Sequence, residues 1–145
     1  MGNFDGFHHI KFYVGNALQA ASYYCTRFGF THVYSHTLET GNRDSAQHVI
    51  RQNKIFFVFV SDLAEKDISQ HVSKHGDGVK DVAFTVDDCH AVWKVETFKF
   101  QKAIERGGVS VMKPTKFEDE NGFVIIATVK TVININQSTM IQFIP

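Results

Sequence analysis

The feature that most constrains this chain is a pattern that occurs twice. A strand-like run, a helix-like stripe and three further strand-like runs follow one another, and then the order restarts. The first copy begins at Phe7–Val14, where Ile10, Phe12 and Val14 share one parity, as a half-buried strand requires. Asn16 is a good helix N-cap. Behind it Ala17, Ala20, Ala21, Tyr24, Cys25 and Phe28 recur at i, i+3, i+4 spacing, the stripe of an amphipathic helix. Gly29 supplies a left-handed stop. Phe30–Ser35, Asp44–Gln52 and Ile55–Val60 read as strands, with a turn at 39–43 and a tight hairpin at Gln52-Asn53. Ile55–Val60 is apolar on both faces, which predicts a central strand.

A polar, weakly helical connector follows from Asp62 to His75 and closes at Gly76-Asp77-Gly78. The second copy then starts with a strand at Val79–Val86. Asp87 or Asp88 caps a helix reaching about Arg106, and Gly107-Gly108 ends it. Val109–Met112 reads as a short strand stopped by Pro114, Lys116–Gly122 as a charged turn, Phe123–Val129 as a strand and Thr139–Ile144 as a last strand. The fold class expected is therefore α+β, two paired β-α-β-β-β units. Short turns join three strands in each copy, which argues against a doubly wound sheet. Two such units leave a cupped sheet with a cleft. The expected boundaries are one domain over 7–131, with unit one at about 7–60, a connector at 61–78, unit two at about 79–144 and an atypical tail at 132–145.

Composition narrows the function. Lys+Arg is 15 and Asp+Glu is 15, a formal charge of +0, so neither nucleic acid nor an anionic membrane is an expected partner. Fourteen Phe among 145 residues supply a sizeable core. Cys25 and Cys89 are far apart and both fall in helical segments, so they read as reduced thiols of a cytoplasmic protein. No apolar run approaches the ~18 residues of a membrane span.

Eight histidines are the first candidates for chemistry: His8, His9, His32, His36, His48, His71, His75 and His90. None forms HExxH or a Cys/His zinc spacing. His8 and His9 are adjacent on a strand and point to opposite faces. A mononuclear iron site needs two imidazoles and a carboxylate with open positions. His9 lies on the first strand of unit one, Asp81 on the first strand of unit two, and Gln142 on the last strand. His, Asp and Gln make a poor triad that would hold iron weakly at best, so no catalytic, cofactor-binding or metal-ligating residue is assigned. Gly76-Asp77-Gly78 lacks a phosphate-cradling spacing, and no GxSxG elbow is present.

Three segments carry a resemblance: FHHIKFYVGNALQAASYYCTRFGF, LETGNRDSAQHVIRQNKIFFVF and VSKHGDGVKDVAFTVDDC. They look like the N-terminal domain of the 4-hydroxyphenylpyruvate dioxygenase family, from about Phe7 to Thr131. The resemblance implies the vicinal-oxygen-chelate fold, built from paired β-α-β-β-β units. It also implies an Fe(II) enzyme of tyrosine catabolism that turns 4-hydroxyphenylpyruvate, a 2-oxo acid, and dioxygen into homogentisate and carbon dioxide. The family's two His and one Glu ligands sit in a C-terminal domain, and no position here matches them. This chain is then expected to be the inactive N-terminal half, a homo-oligomer with no Fe(II) of its own. The alternatives are a stand-alone small-ligand-binding or dimerisation module, and a fragment resembling hydroxymandelate synthase. Two departures stand out. The second helix is about seven residues longer than the family pattern around Lys94–Phe100, two turns that nearly preserve its apolar phase. Val132–Pro145 leaves the pattern and reads as translated non-coding sequence, which suggests a truncated gene product or a paralogue that shed its catalytic half.

Overall fold

The computed structural model describes residues 3–64, 67–92, 109–119, 122–134 and 137–144. The chain divides into two compact units, one formed by His9–Lys80 and the other by Met1–His8 with Asp81–Pro145.

In the His9–Lys80 unit the elements are β1 (Phe4–Tyr13, shared with the other unit), α1 (Ala17–Phe28), β2 (Thr31–His36), β3 (Ser45–Gln52), β4 (Ile55–Asp62) and α2 (Asp67–His75). The strand order is β2-β3-β4-β1. β4 pairs antiparallel with β3 and parallel with β1, so the most apolar run of the chain is indeed interior. The caps of α1 follow from local chemistry. Asn16 Oδ1 accepts the Gln19 N–H at 2.9 Å, and Gly29 takes φ 73 and returns its N–H to the Tyr24 carbonyl. Ala17 and Ala21 have no bulk to hold the helix away, and they pack into a core with Val14, Phe30, Ile50 and Phe59. Aromatic rings fill the remaining space: Phe12 stacks on Phe59 at 5.1 Å and Phe30 on Phe57 at 5.1 Å. The hairpin differs from expectation by one residue. Gln52 pairs with Ile55, so the turn is Asn53-Lys54, and Asn53 accepts the left-handed φ of 54 that few side chains tolerate.

The other unit holds β5 (Gly78–Val86), β6 (Val109–Asp119), β7 (Gly122–Asn134) and β8 (Gln137–Ile144) in the order β5-β8-β7-β6. Its first strand again runs parallel to its last. Of the two candidate caps Asp88 is the one used: its Oδ1 accepts the Ala91 N–H at 3.0 Å. Asp87 instead accepts the Asn3 N–H at 2.6 Å. Val86, Cys89, Val92 and Ala127 form the core cluster of this unit. The rest of the expected helix, with the long stretch at Lys94–Phe100, lies outside the described residues.

Two strand readings need correction. Pro114 does not end β6, and the Lys116–Gly122 stretch is no charged turn, because the strand continues to Asp119. Pairing jumps from Met112 to Thr115, so Pro114 falls in a register irregularity of the edge strand, where its missing N–H breaks no ladder bond. β7 likewise runs past Val129 to Asn134, because Thr131-Val132-Ile133 prolongs a β-branched run that β8 can pair.

Candidate functional site

Of the three sequence candidates, His9 belongs to one unit, and Asp81 and Gln142 to the other. His9 is half-buried on β1, and Asp81, 4% exposed, opens the part of β5 that lies in the other unit. The parity of β1 separates its faces: Phe12 and Val14 join the core beneath α1, and His9 and Lys11 have the other parity. On β5, Val86 joins the core cluster, so Asp81, Ala83 and Thr85 take the opposite face. β8 pairs in parallel with it, Asp81 opposite Met140 and Ala83 opposite Gln142, so Gln142 occupies the register row of Ala83.

This donor set does not suit iron. One imidazole and one carboxylate come from different units, and the third position is a neutral amide. Among the described residues no three His, Cys, Asp or Glu side chains gather in a metal-binding arrangement.

Sequence reasoning missed two histidine pairs. His32 Nε2 and His48 Nδ1 meet at 3.0 Å between β2 and β3. Antiparallel pairing of β2 with β3, with Ile50 opposite His32, brings residues sixteen apart together, and nothing in linear spacing signals it. Burial first, and the neighbouring His32 second, hold the His48 pKa below its ordinary value. On α2 the rings of His71 and His75 lie 4.8 Å apart, and His71 meets the Tyr13 ring edge-on at 5.6 Å. Here i, i+4 spacing was a usable signal, hidden by a weakly helical segment. The His71 pKa is lowered by burial, then by the Lys80 and His75 charges. Burial pushes the Cys89 thiol up, away from the reactive thiolate. A cavity of about 610 Å³ opens beside α1, lined by Phe12, Tyr23, Tyr24, Phe59 and Asp77 among others. Asp77 is committed there to structure, because its Oδ1 accepts the Gly15 N–H at 2.8 Å.

A β-α-β-β-β order whose first strand runs parallel to its last, present twice, defines the vicinal-oxygen-chelate fold. Solved structures agree. A triple mutant of 4-hydroxymandelate synthase from Streptomyces coelicolor matches all of this chain and 39% of its own at a TM-score of 0.78 and 23% identity. Methylmalonyl-CoA epimerase from Mycobacterium tuberculosis matches 97% of this chain and 87% of its own at a TM-score of 0.63 and 14% identity. At these identities they establish the fold alone.

Sequence comparison is more specific. No family profile matches the chain. The 4-hydroxyphenylpyruvate dioxygenase of Xenopus tropicalis is 51% identical over 132 residues, covering 90% of this chain and 32% of the relative. That of Dictyostelium discoideum is 46% identical over 127 residues, 86% of this chain and 33% of the relative. The chain is homologous to the N-terminal third of 4-hydroxyphenylpyruvate dioxygenases, and it spans about a third of the length of these curated relatives.

Proposed function

We propose that this chain is the N-terminal, non-catalytic part of a 4-hydroxyphenylpyruvate dioxygenase, which converts 4-hydroxyphenylpyruvate and dioxygen to homogentisate and carbon dioxide. The observation that carries this reading is identity of up to 51% across nine-tenths of the chain, shared with curated relatives of that name. The donor chemistry supports the division of labour, because His9, Asp81 and Gln142 do not amount to two imidazoles and a carboxylate. In the whole enzyme an Fe(II) ion would supply the site at which the 2-oxo acid and dioxygen react. Nothing in this chain is assigned to hold it.

The contribution of this chain is then a packed platform. Among the described residues its two units bury a Phe-rich core and a Val/Ala/Cys core. The comparisons favour this reading over a stand-alone ligand-binding or dimerisation module. A cytoplasmic location and self-association belong to the same reading. Neither Cys25 nor Cys89 is in a disulfide, which fits a reducing compartment, and the exposed, touching rings of Tyr23 and Phe28 on α1 offer apolar surface to a second copy. Among the described residues no helix is long and apolar enough to cross a membrane.

The test is oxygen consumption by the purified 145-residue chain supplied with Fe(II) and 4-hydroxyphenylpyruvate. The expected result is no uptake above that of Fe(II) and substrate alone. Substrate-dependent uptake that disappears on chelation and returns with Fe(II) would show that the chain is itself catalytic.

A further inference from the structure

We propose that His71 and His75 form a two-imidazole chelate for a borderline divalent transition ion, with Cu(II) held most tightly. The residues sit one turn apart on α2, on the same helix face, with ring centroids 4.8 Å apart. Two imidazole nitrogens each ~2.0 Å from one ion are about 3 Å apart, a span these rings reach by rotation of their side chains. Among the described residues no hydrogen bond or ion pair engages either imidazole, although both are half-buried. No nitrogen of either ring is among the buried unpartnered polar atoms, so both rings are open to a ligand from solution.

The surroundings decide which ion fits. His75 closes the last turn of α2, where the negative end of the helix dipole favours a cation. Lys80 opposes it, with its ammonium 5.7 Å from the centre of the Tyr13 ring, which itself touches His71. That positive charge disfavours hard ions held by charge alone, such as Mg(II) or Ca(II). An ion with strong intrinsic affinity for neutral imidazole tolerates it, and along the first transition row that affinity peaks at Cu(II), with Zn(II) and Ni(II) weaker. No third His, Cys, Asp or Glu completes the group among the described residues, so water or an outside ligand takes the remaining positions and the ion exchanges readily. The His32–His48 pair is the competing site, but its facing nitrogens are already bonded to each other at 3.0 Å.

The experiment is titration of the tag-free chain with Cu(II) in a non-coordinating buffer, followed by calorimetry, electron paramagnetic resonance and proton NMR. One equivalent is expected, with two equatorial nitrogens. Affinity should fall at least ten-fold in His71→Ala and in His75→Ala alike and stay unchanged in His32→Ala. In the unaltered chain, substoichiometric Cu(II) should broaden the His71 and His75 ring protons before those of the other six histidines, which needs no variant to fold. Broadening that begins elsewhere overturns the proposal. So does a one-equivalent site that survives both alanine substitutions, or binding no tighter than that of a lone imidazole.

Discussion

Asn16 illustrates how one side chain sets an element. Its oxygen takes the Gln19 N–H, one of four donors that a helix start leaves without an internal partner. Asn16→Ala should cost about 1 kcal/mol, read as a lower midpoint in urea with an unchanged slope. Caps of this kind were legible in the sequence, because cap and partner are three residues apart. The His32–His48 contact was not, since strand register brings it about. That contact needs one ring to donate and the other to accept, so it fails when both rings carry two protons. The His48 pKa is depressed in the fold from an ordinary value of 6.5, so the unfolded chain binds more protons in the window between the two values. The resulting stability is complete above 6.5 and is lost as pH falls through the folded value; His71 acts in the same direction. Denaturation midpoints should therefore drop between pH 7.5 and pH 5.5, and His48→Gln should shrink that drop. An equal drop in the variant would remove His48 from the account.

At the scale of elements, β4 carries the most weight. Phe59 is 2% exposed, stacks on Phe12 and packs against Tyr24, whereas Ile55 at the start of the same strand is 50% exposed. Phe59→Ala should cost about 3–5 kcal/mol by opening a cavity, and Ile55→Ala under about 1 kcal/mol. Similar losses at both positions would mean that the strand does not end in the core as described. The succession of elements along the chain and the identity of the central strand could be read from hydrophobic runs and turn residues. Register could not. Pro114 looked like a terminator because a proline breaks a regular ladder, yet it sits where pairing already skips from Met112 to Thr115. Likewise the polar Lys116–Asp119 stretch is strand, its Lys116 and Glu118 side chains sharing a face and an ion pair at 2.8 Å. Alternation is a weak signal on an edge with little to bury.

At the scale of the whole molecule, the same strand order arises twice, β2-β3-β4-β1 and β6-β7-β8-β5. The sequence carries that repeat openly in its hydrophobic runs. Iron chemistry is not legible in the same way, because His9, Asp81 and Gln142 supply too few of the right donors. Homology to a third of each curated relative accounts for both observations if the chemistry belongs to the remaining two-thirds. The most direct measurement is homogentisate formation by a chimera in which this chain replaces the homologous N-terminal third of the Xenopus tropicalis enzyme. The expected result is a folded chimera that forms homogentisate from 4-hydroxyphenylpyruvate and remains active when His9 and Asp81 are both changed to Ala. A folded, Fe(II)-loaded chimera that forms no homogentisate would contradict it, as would activity lost on those two substitutions while the fold is retained.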